Sequence, residues 1–235
     1  MTSTPTNPLI TSIASFVTEC MKNYDPSHNP AHISRVVSLA LRIAKSEQQS
    51  LAAKGSSTEV DFEVVHLAAL LHDISDRKYL PKDQASDANA IPAKKLVDHI
   101  IRQHGGTHAL GEKVQKIVSH VSYTTECKDP VAVRRVIEEE GIYELAIVQD
   151  ADRLDALGAV GIGRCFTFLG AKGRDMLKEG EKWEMENSIR HFGEKLEKLE
   201  GMMKTETGRR LARVRTERLV EFRRWWEDEM EDVTV

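Results

Sequence analysis

The apolar residues of this chain recur at intervals of three and four almost from end to end. No stretch alternates with the period of two that a half-buried strand requires. Ile13, Phe16, Val17, Cys20 and Met21 set the pattern. Ile33, Val36, Val37, Ala40, Leu41 and Ala44 continue it behind Asn29-Pro30, where proline suits the first helical position because no N–H is needed there. An all-α fold is expected. From Val64 to Leu71 the chain is apolar on nearly every side, which marks a central buried helix ending at His72-Asp73. Further helices are expected over Ala88–His104, with Pro92 at a start or kink, and over Val114–Val121, Val131–Glu139 and Ile142–Leu157. His104 and His108, flanking Gly105-Gly106, read as a loop. Gly158, Gly161 and Gly163 follow no strand, so they argue for close helix packing rather than a dinucleotide-binding turn. Gly170–Glu181 reads as an exposed loop. Met185, Ile189, Phe192, Leu196, Leu199 and Met203 step again by four and three, and a last helix is expected from about Glu206 to Glu229.

The 235 residues suffice for one domain with its own core, about 20–170, and C-terminal helices, about 183–230, packed on it. Thirty-three basic against 37 acidic residues, a net charge of −4, argue against a nucleic-acid binder. No run approaches the ~18 apolar residues of a membrane span. The N-terminal stretch lacks the positive region of a secretory signal. Three scattered cysteines, Cys20, Cys127 and Cys165, have neither zinc spacing nor a disulfide framework, which points to a reducing compartment, cytoplasmic or nuclear.

Polar residues on faces that ought to be apolar carry the chemistry. His32 lines up with Val36, Leu39 and Ile43; His72 with Val65, Ala68 and Ala69; Asp73 follows directly; Asp152 lines up with Leu145 and Val148. Buried carboxylates without a cation cost several kcal/mol each, on the order given by charge desolvation. One divalent ion would satisfy both anions and fix both imidazoles. Two nitrogens and two oxygens are too oxygen-rich for a closed structural zinc site. They suit an octahedral ion with positions open for a water and a phosphate oxygen, which is a hydrolytic site.

The local strings sharpen this reading: HNPAHISRVVSLALRIA, AALLHDISDRK, VQDADRLDALGAVGIGR and HFGEKLEKLEGMMKTETGRRLA. Over about residues 20–230 they resemble the HD-domain metal-dependent phosphohydrolases, in particular small stand-alone members similar to nucleoside triphosphate pyrophosphohydrolases. The resemblance implies an HD-type helical bundle with additional C-terminal helices, and His32, His72, Asp73 and Asp152 as ligands of one divalent metal. Mn²⁺ is favoured, with Mg²⁺, Fe²⁺ or Ni²⁺ as alternatives. His32 rather than His28 matches the family histidine, being followed by I-x-R-V; His28 is left as a neighbour of the ligands or a surface residue. Periodicity does not decide among Asp150, Asp152 and Asp155; the family ligand is the aspartate of the Ala-Asp pair, Asp152, and Asp155 is placed to orient a ligand or bond an arginine.

The implied activity is hydrolysis of a phosphorylated small molecule, a (deoxy)nucleotide, by metal-activated water. Asp76 is expected to orient the water, Lys78 to contact a phosphate, and His120 to act as phosphate contact or proton donor. His66, His99, His104, His108 and His120 include no adjacent pair, which favours one metal over two. The arginines after Lys204 read mostly as a solvated face with ion pairs such as Arg213 with Glu217. Arg209 and Arg215 are the candidates for substrate phosphate, lying in or beside the pattern Thr205, Gly208, Ala212, Arg215 that recurs in the related proteins. Trp225 and Trp226 read as core or dimer packing, so a homodimer is possible. The alternatives are a two-iron oxygenase of HD type and a non-catalytic nucleotide-binding protein.

Overall fold

Side-chain caps set many of the helix starts. In the computed structural model, which describes residues 7–74, 91–177 and 179–231, Asn7, Asn29, Asp61, Thr107 and Asp129 each accept a hydrogen bond from an amide of the first helical turn that follows. The helices so begun are α1 (Pro8–Met21), α2 (Pro30–Ala53), α3 (Phe62–Leu71), α5 (His108–Val121) and α7 (Pro130–Glu138). Between and after them come α4 (Ala93–Gln103), α6 (Tyr123–Lys128), α8 (Tyr143–Asp155), α9 (Gly158–Lys172), α10 (Glu186–Glu194) and α11 (Glu206–Glu231), with 3₁₀ turns over Gly173–Met176 and Leu196–Met202. No strand occurs among the described residues. No single helix among them is long and apolar enough to cross a membrane.

Several boundaries differ from the sequence expectation. α5 begins at His108, six residues before Val114, because Thr107 caps it; His104 directly follows α4, so the loop between α4 and α5 is the short Gly105–Thr107. α4 starts after Pro92, not at Ala88, which lies outside the described residues. The expected loop from Gly170 is helical to Lys172 and then 3₁₀ to Met176, while 181–184 is irregular. The apolar series Met185–Met203 is broken at Lys195 into a helix and a 3₁₀ turn. α6 was not expected at all; its six residues bury none of their number and leave no periodic signal.

α2, α3 and α8 pack against one another, with α5 against α3 and α8, and α1 covering α3. Their core is aliphatic: Val36, Ile43, Leu67, Leu71, Ile117, Leu145, Ile147 and Leu154 are fully buried. α11 lies across α8, α9 and α2. Glu47, buried on α2, accepts from the Thr207 amide at 2.8 Å and the Tyr143 hydroxyl at 2.7 Å, joining α2, α8 and α11 through one carboxylate. Gly158 takes φ +67° at the turn between α8 and α9, and a side chain there would meet Arg215 Cβ at 3.2 Å. At Gly161 a Cβ would collide with the Ala156 backbone. Close packing is thus the role of these two glycines.

Candidate metal centre

Three helix segments converge on one point. His32 sits in the first turn of α2, where Asn29 Oδ1 accepts from the Ala31 and His32 amides at 3.0 and 3.4 Å. His72 and Asp73 follow the C-terminal end of α3, whose all-round apolarity drives that end into the interior. Asp152 comes from α8. His32 Nε2 lies 3.2 Å from His72 Nε2, 3.3 Å from Asp73 Oδ2 and 3.7 Å from Asp152 Oδ1. His72 Nε2 lies 3.4 Å from Asp73 Oδ2 and 3.7 Å from Asp152 Oδ1. Metal–donor bonds of about 2.1 Å at right angles would put neighbouring donors about 3 Å apart, so this spacing is close to that of a coordination shell. His32, His72 and Asp152 form a possible metal site, each offering a ligand atom within 4.8 Å of the others.

The ring tautomers make the case stronger. His72 Nδ1 faces the Ala69 carbonyl at 2.8 Å and must donate to it. His32 Nδ1 faces Asp155 Oδ2 at 2.8 Å. Asp155 is ionised: burial would raise its carboxyl, but bonds from His32 and Arg35 and the charge of Arg164 hold it well below the usual range. His32 Nδ1 therefore carries the hydrogen. In the neutral rings both Nε2 lone pairs then point at each other across 3.2 Å, beside two carboxylates. Only a cation, a proton or a metal, relieves that arrangement. The same demand appears in the titration of His72. Burial favours the neutral ring, yet Asp73 and Asp152 outweigh it and raise its pKa to about 9. Burial likewise opposes the charge on Asp73, and the two imidazoles hold that carboxyl well below its ordinary range.

Helix geometry separates the three aspartates of α8. At 100° per residue Asp152 and Asp155 lie on adjoining faces, while Asp150 points the other way. Asp155 takes a bidentate pair from Arg35, Nε at 2.8 Å and Nη2 at 3.0 Å, and a contact from Arg164 Nη1 at 3.1 Å, besides His32. It thus orients the His32 imidazole and bonds arginines. Asp150 instead accepts from the Lys204 and Thr205 amides and the Thr205 hydroxyl at the start of α11. Arg35 and Arg164 were not singled out from the sequence. A signal existed for Arg35: it lies three residues after His32 and so shares its side of α2.

His28 is partly buried beside the cluster, its ring 5.8 Å from that of His32 and 5.5 Å from Phe168. Burial, with Arg164 and His32, pushes its pKa down to about 4 against the pull of Asp73. Among the described residues, no hydrogen bond or ion pair links the His120 ring to this cluster. Its Nδ1 donates to the Lys116 carbonyl at 2.7 Å, and its ring borders a groove of about 1050 Å³ along α4 and α5 whose lining includes none of the four cluster residues. Arg209 donates to the Lys204 and Met203 carbonyls at 2.9 and 3.3 Å and borders another groove with Glu197 and Arg210. Arg215 donates to the Leu154 carbonyl, at the end of α8. Both arginines pin backbone. Asp76 and Lys78 lie outside the described residues. The expected pair Arg213–Glu217 is present at 3.6 Å. Trp226 packs on Phe166 and Phe222, while Trp225 is exposed.

The HD-domain profile matches residues 31–157, a span that opens one residue before His32 and takes in His72, Asp73, Asp152 and Asp155. The chain belongs to the HD-domain family. A relative in Bacillus subtilis, YpgQ, is 31% identical over 221 residues, covering 93% of this chain and 92% of its own. The crystal structure of YpgQ in complex with ADP superposes with a TM-score of 0.64 at 30% identity, covering 94% of each chain. An HD-superfamily hydrolase of Bacillus thuringiensis superposes with a TM-score of 0.62 at 27% identity, covering 94% of this chain and 96% of that one. The superposition on this hydrolase thus covers nearly the whole chain, well beyond the span that the HD-domain profile matches.

Proposed function

We propose that this HD protein is a divalent-metal-dependent phosphohydrolase acting on nucleotides, with nucleoside triphosphate pyrophosphohydrolysis as the favoured reaction. The observation that carries this reading is the pair of imidazole Nε2 atoms 3.2 Å apart, hemmed by Asp73 and Asp152. That set fits a divalent ion, and His32, His72, Asp73 and Asp152 would hold it. The family resemblance favours Mn²⁺, and two nitrogen and two oxygen donors are compatible with it as with Mg²⁺, Fe²⁺ or Ni²⁺. A bound ion of this kind acidifies a water and offsets charge on phosphoryl oxygens.

The chain's own residues supply the rest. Asp155 holds His32 in the ligating tautomer. Arg35 and Arg164, both anchored on that carboxylate, outnumber it and leave net positive charge beside the cluster, where a phosphate group is favoured. In the reaction a water oxygen bonds to phosphorus and the bond from phosphorus to the leaving oxygen breaks. Attack at the α-phosphorus would release pyrophosphate. Asp76 and Lys78 are assigned to the water and a phosphate on the sequence alone. The ADP complex of YpgQ supports a nucleotide as the ligand class. A single ion is favoured over a two-iron centre, since the sequence contains no adjacent pair of histidines.

The deciding experiment screens nucleoside mono-, di- and triphosphates with Mn²⁺, Mg²⁺, Fe²⁺ and Ni²⁺, comparing the wild type with Asp73→Ala. Hydrolysis that needs added metal, and is lost together with the bound ion in Asp73→Ala, is expected. Normal turnover by Asp73→Ala with metal still bound would overturn the ligand assignment. Tight nucleotide binding without turnover under any ion would favour the non-catalytic reading.

A further inference from the structure

Two contiguous recesses, of about 190 and 240 Å³, run between α9 and α10 away from the cluster. Together they fall within the roughly 300–1,000 Å³ of small-molecule sites. They share Cys165, Phe168, Met176 and His191 in their walls. We infer that this cleft is the nucleoside subsite, with the base stacked on Phe168 and the phosphates drawn towards the cluster by Arg164. The inference rests on the nucleotide hydrolase reading and names where that substrate's specificity lies.

The order of side chains along the cleft carries it. The inner end holds His28, whose ring stands 5.8 Å from that of His32, together with Arg164, which contacts Asp155 at 3.1 Å. A cation there suits the phosphate end of a ligand. Next comes Phe168, one ring beyond His28, with Cys165 and Met176 around it. The outer end turns polar again, with Asn187, Glu181 and Arg190 in its wall. Charge, apolar face and hydrogen-bonding groups thus follow the order of phosphate, base ring and base edge in a nucleotide. Between them His191 is neutral near pH 7, its burial and Lys195 lowering its pKa, so it offers both a donor and an acceptor at the height of the sugar. Met176 is 61% exposed at the mouth, an apolar group that a bound base would cover. The wider groove along α4 and α5 is a poorer candidate. Its lining includes none of the four cluster residues or their direct partners, whereas the cleft holds Arg164, 3.1 Å from Asp155, and His28, whose ring stands 5.8 Å from that of His32.

The test is titration calorimetry of the Mn²⁺-loaded protein with ADP and, separately, with inorganic pyrophosphate. The proteins compared are the wild type, Phe168→Ala, Phe168→Leu and Phe168→Tyr. Base stacking on an aromatic ring predicts that Phe168→Ala weakens ADP by at least about fivefold while the ratio of ADP to pyrophosphate affinity collapses. Phe168→Leu keeps the apolar bulk without the π face, so it shares that loss, and Phe168→Tyr retains the wild-type ratio. ADP affinity unchanged in both Ala and Leu variants, or ADP and pyrophosphate falling in step, would overturn the subsite. Wild-type protein that prefers pyrophosphate to ADP would overturn it as well. Nucleotide hydrolysis with Phe168-independent binding sinks the subsite alone. Phe168-dependent ADP binding without hydrolysis of any nucleotide sinks the hydrolase reading alone.

Discussion

At the scale of single residues, Asp155 is the organiser of the site although it touches no proposed reacting group. One buried carboxylate collects His32 and two arginines, and each of the three has only donors to offer it. Asp155→Asn keeps the shape but removes the charge, and it lets the amide nitrogen face His32 as a donor. Partners of this kind typically matter 10–100-fold in metal affinity. Titration calorimetry with Mn²⁺ should accordingly show binding weakened by about 10–100-fold in Asp155→Asn. Unaltered affinity would mean that packing alone holds the His32 ring. Asp73 invites the opposite reading from its surroundings: its oxygen stands 3.3 and 3.4 Å from the two ring nitrogens, within the spacing of a shared ion.

At the scale of elements, the junction of α8 with α11 explains a motif that sequence reading tied to phosphate. Thr205 caps α11 by accepting from the Gly208 amide at 2.8 Å, and its own amide and hydroxyl both donate to Asp150 at 2.7 Å. A Cβ on residue 208 would fall on that carboxylate and on Thr205 Oγ1. The glycine is there because two helices meet through an aspartate with no room to spare. Gly208→Ala should cost about 1–3 kcal/mol through overpacking. Each kcal/mol is worth about 2–4 °C in a chain of this size, so thermal unfolding should move down by several degrees. Because Asp150 faces away from Asp152, Mn²⁺ affinity should stay at the wild-type value. A variant as stable as the wild type would show that the junction yields easily.

At the scale of the whole molecule, a buried ionic cluster ties the C-terminal elements to the HD core. Glu126 of α6 pairs with Arg153 of α8, which is 3% exposed, and with Lys204 at 2.9 Å just before α11. Burial would raise the Glu126 carboxyl, but Arg153 and Lys204 overcome it and depress its pKa below the ordinary 4.5. A depressed carboxyl contributes stability that is present above the unfolded value and is lost as pH falls through the native one. Denaturant unfolding from neutral pH downwards should therefore show stability falling below about pH 4.5, and Glu126→Gln should flatten that fall. The substitution should itself cost about 3–5 kcal/mol at neutral pH, because it leaves Arg153 buried without its anion. A full-length pH slope in Glu126→Gln would assign the acid sensitivity elsewhere. The sequence by itself determined the all-helical class, most of the helices, and the polar intrusions at His32, at His72-Asp73 and at the aspartates of α8, among which only the family resemblance picks out Asp152. Each of these is a local pattern: apolar spacing follows the pitch of one helix, and an ionisable group on an apolar face stands out within a single turn. Only the tertiary structure decided that Asp150 serves α11 while Asp155 serves His32, that Arg35 and Arg164 flank the cluster, and that Arg209 and Arg215 hold backbone carbonyls. Those choices pair residues more than fifty positions apart, in most cases, and depend on how helices cross, which the rhythm of apolar residues within one helix does not encode.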